Sequence, residues 1–424
     1  MKNWLDGLVK NKWLGVWLIG IFLVFTSLHF WRLADQEFTG DEASPMLNID
    51  VALDSLSTGN INYLAYPFLW FHEPLRAVME GALLHFLGVR PVLLRLPNVV
   101  FDLLTFWALV IIFVRERVDK RLIAGSMAAY SVGAFLMIGR LALTDGWTRL
   151  MLLVIGYWCC EAWEEGSVKK LMWAIIIYAV SMLRVLDTGV MIVPIVLVVW
   201  KIKAWRDKKF VRVTTVAGGV LAVYFGLWFL LPYSAYKKGL LESYNTNGLF
   251  YYLGRAGDGS ARDLSFNFQI LTHYSSVGFA LWLLSSFVVC AVVAKLRKIL
   301  LVSLPALLAV YLLFSPSIHV TSYIGIFFWQ AVMVADYVMK KFAWSRTAVL
   351  VAVVLIVVLN LQQMYLSFWK GRIANSTRFV WGHADVPRPG FDVDLAVKRI
   401  YERHGIDPTG RIEVRRLRWE GKSF

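Results

Sequence analysis

Cysteine is almost missing from this chain: Cys159, Cys160 and Cys290 are the only three in 424 residues, and each lies inside an apolar run. So sparse a set indicates neither a disulfide framework nor a thiolate metal site, and buried small hydrophobes are the simplest reading. There is no repeat of fixed period, no low-complexity tract, no Walker loop and no dinucleotide fingerprint, so energy arrives with a substrate or down a gradient. No set of His, Asp and Glu has metal-ligand spacing, and no obligatory cofactor or divalent ion is indicated. Acidic residues are scarce too, 29 against 44 Lys and Arg, and the apolar runs read as nearly free of them.

What the chain has in abundance is apolar surface: 58% of its residues are hydrophobic and 15% aromatic. This defines an all-α polytopic membrane protein whose bilayer partner is written into its composition. The first run, Leu14 to Trp31, follows Lys2, Lys10 and Lys12 and lacks a small-residue cleavage pattern, so it reads as a retained span rather than a signal peptide. Further runs fall at 92–114, 122–138, 147–163, 171–186, 189–200, 213–231, 276–293, 299–314, 320–339 and 348–368. The expectation is roughly eleven transmembrane helices, the short sixth having the weakest claim to be a span.

Alternate short loops carry the basic residues: Arg115, Arg117, Lys120 and Arg121; Lys169 and Lys170; Lys201 to Lys209; Lys295, Arg297 and Lys298; Lys340 and Lys341. The positive-inside rule makes these loops, and the N-terminus, cytoplasmic. The net charge of +15 is then mostly a topology signal with a basic tail added, and it does not call for a nucleic-acid partner. The same counting organises residues 1–368 as a membrane domain with two long outer loops, 35–91 and 232–275, and residues 369–424 as a small soluble extension on the outer side. One miscounted span would move that extension to the cytoplasm.

Function is to be sought in the outer loops. In "SPMLNIDVALDSLSTG" Ser44 suits an N-cap and Pro45 a first helical position, and Met46, Ile49, Leu53 and Leu56 recur at helical spacing. In "HEPLRAVMEGALLHFLG" Pro74 opens and Gly88 closes a second amphipathic helix faced by Leu75, Val78, Met79, Ala82, Leu83 and Phe86. Both suit the lipid interface. Asp41 and Glu42 stand just before the first, where free backbone amides and the helix dipole favour an ionised carboxylate. Such a group can serve as general base toward a hydroxyl or amine, or simply stabilise the helix start. Arg140, Asp145 and Arg149 sit around "GRLALTDGW"; an Asp145–Arg149 pair at i, i+4 is the plain structural reading there. The second outer loop, rich in Tyr, Asn, Gly and Arg, suits either a cover over a substrate or an ordinary interfacial belt.

"GDEASPMLNIDVALDSLSTGN", then "HEPLRAVMEGALLHFLGVRPVLLRLPN", then a basic turn and "IGRLALTDGW" resemble the N-terminal signature of the protein mannosyltransferase and aminoarabinose transferase-like family, within the C-type integral membrane glycosyltransferases. The resemblance covers about the first 165 residues; beyond it only the number and spacing of spans match. It implies a C-type glycosyltransferase fold in the plasma (inner) membrane and sugar transfer on the outer face from a polyprenyl-phosphate donor to a glycan, glycolipid or protein acceptor. By the same match Asp41 is the general base, Glu42 supports acceptor or loop geometry, and Asp145 falls near the sugar. His72 takes the basic position of a K/H-x-P-L element near the carrier phosphate, and Glu73 replaces a proline common there, which changes the local charge. Arg76, Arg140, Arg255 and Arg262 are further outer-side cations for a phosphate, by charge and location only.

Two rival classes stand beside the transferase. A lipid-linked sugar flippase or other transporter would carry acids at mid-membrane depth or paired broken helices. A catalytically inactive carrier-binding subunit would keep the same motif for structural reasons.

Overall fold

The computed structural model describes residues 12–30, 91–133, 145–237, 275–312, 321–342 and 345–368, with the isolated positions Met79, Leu83, Phe86, Leu87 and Thr272. These residues form eleven α-helices and three short 3-10 turns, with no strand among them. The helices are α1 (Lys12–Phe30), α2 (Pro91–Arg115), α3 (Lys120–Ser131), α4 (Asp145–Glu165), α5 (Val168–Met182), α6 (Ile192–Ile202), α7 (Lys208–Lys237), α8 (Val277–Val292), α9 (Arg297–Leu312), α10 (Ile324–Lys341) and α11 (Ser345–Phe368). Each of the eleven apolar runs therefore overlaps a helix. The soluble extension, 369–424, and most of both long loops lie outside the described residues.

Membrane-crossing length is a stricter matter. Four helices are long and apolar enough among the described residues: α1, Arg95–Arg115 of α2, Lys208–Leu227 of α7, and Ser345–Tyr365 of α11. A fifth follows if α8 and α9, bent by 112° at their junction, count as one span. The expectation of roughly eleven crossings is thus met in part. An α-helix rises about 1.5 Å per residue against a hydrocarbon core of about 30 Å. With 12 and 11 residues, α3 and α6 fall well short of it. The run at 189–200 begins as a 3-10 turn, Leu186–Met191, before α6 takes over.

The helix ends follow from local sequence. Asp119 caps α3 by accepting from the Arg121 and Leu122 amides, Asp207 caps α7 through Lys209 and Phe210, and Ser276 caps α8 through Phe279. The connections α2–α3, α4–α5 and α6–α7 each turn through one left-handed residue: Arg117, Gly166 and Lys203. Only Gly166 takes that conformation without a Cβ penalty.

The bundle has two unlike ends. The basic connections meet at one of them. Lys340 donates to the Arg117 carbonyl (2.8 Å), the Asp119 amide to Asp336 (2.8 Å) and Arg346 to Asp119 (3.0 Å). Lys298 pairs with Glu164, Lys170 with Glu161 (2.6 Å), and the Lys201 ammonium sits 3.9 Å from the Trp163 ring centre. From this basic end α2, α4, α5 and α10 run to the opposite, far end. There α1 ends at Phe30, α2 begins at Pro91, and α4 starts with Asp145.

At the centre, α10 is buried on every face from Ile324 to Asp336. Phe25, Phe106, Tyr130, Phe279 and Phe328 join α1, α2, α3, α8 and α10 in one aromatic cluster; the Phe279 and Phe328 rings stack at 5.9 Å. Because lipid is as apolar as these side chains, contact quality rather than water exclusion holds such helices together. Close approach is correspondingly tight: a Cβ on Gly156 would meet Val302 at 2.6 Å and one on Gly125 would meet Val353 at 2.9 Å. By contrast Gly218, Gly219 and Gly226 of α7 have open space around them, in keeping with an outward-facing helix. Met79, Leu83, Phe86 and Leu87 are helical, and Met79, Phe86 and Leu87 are exposed, as an interfacial apolar face would be.

Candidate functional site

A stripe of polar residues runs down one side of α2. Arg95, Asn98, Asp102 and Thr105, spaced by three, four and three, share a face of an otherwise apolar helix, and all are buried. A membrane helix hides such a face against protein. Here the partners come from α1 and α4.

Asp102 is the hub. One carboxylate oxygen pairs with Arg149 of α4, and the other lies 3.1 Å from His29 Nε2 of α1; all three side chains are fully buried. His29 Nδ1 is 2.9 Å from the Phe25 carbonyl, which can only accept, so Nδ1 donates. Nε2 then either donates to the Asp102 carboxylate or accepts from a protonated one, so the pair shares a proton in both cases. Arg149 also donates from Nε to the Thr321 carbonyl (3.2 Å) in the turn before α10. Gly325 makes room for this arginine: a Cβ there would come within 3.0 Å of Arg149 Cγ. The cluster thus ties α1, α2, α4 and α10 together at the far end.

One turn nearer that end, the Gly146 amide donates to Asn98 Oδ1 at 2.6 Å. A Cβ on Gly146 would lie 2.5 Å from both the carbonyl and the side-chain oxygen of Asn98, so only glycine permits this approach. Between the two polar contacts, Phe101 and Trp147 meet edge to face at 4.7 Å. Buried Arg184, just past α5, lies over both rings, 5.5 Å from Phe101 and 5.3 Å from Trp147, and its Nη1 is 4.0 Å from Met79 Sδ. Trp147 donates to Ser181 (3.2 Å), and Tyr323 donates to the Asp187 carbonyl (2.9 Å).

Of the sequence-derived candidates, Asp145 is the first residue of α4, directly before Gly146. Asp41, Glu42, His72, Glu73, Arg76, Arg140, Arg255 and Arg262 lie outside the described residues. Arg149 is engaged by Asp102 across the helix interface, 47 residues away in the chain; the Asp145 side chain, its sequence-expected partner, lies outside the described residues. One sequence expectation changes: the runs are less free of acid than expected, since Asp102 sits inside α2 with no exposure at all. His29, Asn98, Asp102 and Arg184 were not singled out from sequence; the signal available was the three-four-three polar spacing in α2.

Enclosed as it is, the His29–Asp102–Arg149 cluster has no solvent exposure and joins four helices. One turn beyond it lies the start of α4. All three cysteines are buried, and among the described residues no group of three His, Cys, Asp or Glu could hold a metal ion.

Fold and site together define a helical membrane protein with a buried ionic joint at one end of its bundle. No family model, curated protein or solved structure matches the chain.

Proposed function

We propose that this protein is a membrane glycosyltransferase that moves a sugar from a polyprenyl-phosphate carrier to an acceptor on the outer face of the plasma (inner) membrane. The full reading includes roughly eleven crossings, a cytoplasmic N-terminus and a C-type glycosyltransferase fold. Asp41 takes the acceptor's proton, the acceptor oxygen or nitrogen attacks C1 of the sugar, and the bond from C1 to the phosphate oxygen breaks. Polyprenyl phosphate leaves, and this single displacement inverts the anomeric centre. Glu42 supports the acceptor or its loop. Asp145 lies by the sugar, and His72, Arg76, Arg140, Arg255 and Arg262 are the cations available to the departing phosphate.

One observation carries most weight for this reading. The segment with Asp41 and Glu42 leaves α1 and rejoins α2 at the same end of the bundle at which α4 starts with Asp145. A polyprenyl tail can stay in lipid beside such an end while its sugar meets a polar acceptor. The sequence resemblance supplies the reaction class. The test is sugar transfer by the purified protein in nanodiscs, with a panel of radiolabelled polyprenyl-phosphate sugars and membrane extract as acceptor. Carrier-dependent labelling that Asp41→Asn abolishes, in a variant that still folds and binds carrier, supports the assignment. Labelling that survives the substitution removes Asp41 from the role of base.

A second reading is favoured by Asp102. A buried acid within an apolar helix, paired with a histidine and an arginine, is also what a proton-coupled transporter of lipid-linked sugars would use. Uptake of intact carrier into liposomes, driven by a pH gradient and lost in Asp102→Asn, would speak for it.

A further inference from the structure

We infer that Asn98 is a positioning residue for the proposed transfer: with Asp102 it clamps the first turn of α4 and so fixes where Asp145 stands. This rests on the glycosyltransferase reading, in which Asp145 lies by the sugar. Three contacts of different kinds join α2 to the opening of α4 within about a turn and a half. The Gly146 amide bonds to Asn98, the Trp147 ring meets Phe101, and the Arg149 guanidinium pairs with Asp102. Apolar packing alone would dock two membrane helices, but it tolerates sliding and rotation. A hydrogen bond to a backbone amide and a buried ion pair one turn apart do not.

The position of the first contact gives it its function. Gly146 follows Asp145 directly, and the missing Cβ lets the α2 backbone approach as closely as it does. The Asn98 bond therefore acts on the peptide unit that carries Asp145 into the helix, whereas Asp102 acts a turn further on. His29 and Phe25 hold Asp102 from the α1 side, so the clamp is anchored in a third helix. Asn98 itself is buried and touches no substrate in this account. Its effect on the reaction passes through the placement of Asp145. Misplacing a reacting or binding group by about 1 Å can cost on the order of a hundredfold in rate.

The experiment compares wild type, Asn98→Leu, Asn98→Ser and Asn98→Asp in nanodiscs, measuring kcat and donor KM in sugar transfer and the folded fraction by size exclusion. Asn98→Leu keeps the volume and removes the acceptor; Asn98→Asp restores an acceptor for the Gly146 amide at a helix N-terminus, where a carboxylate is favoured. The expected result is a kcat lowered at least roughly tenfold in Asn98→Leu with donor KM within about threefold of wild type, and recovery in Asn98→Asp to within about threefold. Asn98→Ser, less disruptive of packing, is expected to fall between them. Wild-type kcat per folded molecule in both Asn98→Leu and Asn98→Ser would overturn the inference while leaving the transferase standing. Equal losses in Asn98→Leu and Asn98→Asp would also overturn it. Wild type that transfers no sugar from any donor would overturn the transferase reading and the inference with it.

Discussion

The two ends of this bundle handle charge in opposite ways. At the basic end the ion pairs are partly open to solvent: the Lys340 side chain is 54% exposed beside Asp336, and that of Arg346 is 53% exposed beside Asp119. At the far end His29, Asp102 and Arg149 have no exposure at all. Pairs of the first kind are typically worth ~0–1 kcal/mol and chiefly record which side of a membrane a loop prefers. Pairs of the second kind pay a desolvation cost that their mutual attraction need not return. A chain that keeps them spends stability on fixing an arrangement, and the arrangement fixed here is the opening turn of α4.

The sharpest way to break this comparison is to remove one partner at each end. Arg149→Met leaves the Asp102 carboxylate short of its main counter-charge and is expected to cost about 3–5 kcal/mol. Arg346→Met is expected to stay within ~1 kcal/mol of wild type. Unfolding midpoints in a graded detergent titration decide between them, and equal losses at the two ends would end the comparison.

Glycine offers the next contrast. Gly146→Ala drives a methyl group into the Asn98 backbone, at an expected cost of about 1–3 kcal/mol. Gly218→Ala, in open space on α7, is expected to be neutral or to stabilise by up to about 1 kcal/mol through helix propensity. Thermal midpoints of the two variants measure the difference. A smaller effect is expected from Asp119→Ala at the basic end, which removes an N-cap and should cost about 1 kcal/mol, read from the same melting curves.

The smallest effect concerns pH. Burial raises Glu116 above its ordinary value of 4.5, with Glu161 and Glu164 adding to the rise and Lys298 opposing it from 3.8 Å. Lys298 is shared with Glu164, which explains why it does not fully compensate. A carboxyl whose folded value is raised binds its proton more tightly in the folded state. Its contribution is therefore most favourable below pH 4.5 and is lost as pH climbs through the raised folded value. Glu116→Gln should flatten that part of the stability profile, measured as melting temperature against pH, and a profile unchanged by the substitution would discard the assignment.

Much of the basic end was legible in the sequence. Lysines and arginines gather in alternate loops because the charge rule is local, and the helices that separate those loops overlap the apolar runs. Helix length was read less well, since hydropathy runs on past the residue where a helix stops: the run 122–138 holds α3, which ends at Ser131. The far end was scarcely legible. Its contacts join residues 73 and 47 positions apart, and nothing in one sequence announces which arginine an aspartate will meet. The Asp145–Arg149 spacing suggested a local pair, and nothing in that spacing indicates that α2 also brings the buried Asp102 carboxylate to Arg149. The clue that was present, the polar stripe Arg95, Asn98, Asp102 and Thr105, is diluted in any hydropathy window by the apolar residues between its members.

The proposed transferase and the rival transporter differ in whether the sugar leaves its carrier or crosses the bilayer with it. The most direct measurement follows a radiolabelled polyprenyl-phosphate sugar in proteoliposomes of the wild-type chain, recording labelled acceptor, released polyprenyl phosphate and labelled carrier in each leaflet. The proposed transferase is expected to give labelled acceptor and polyprenyl phosphate in equal amounts, with no faster exchange of intact carrier between leaflets than in protein-free liposomes. Intact carrier crossing the bilayer faster with the protein than without it, and no label on any acceptor, would contradict it.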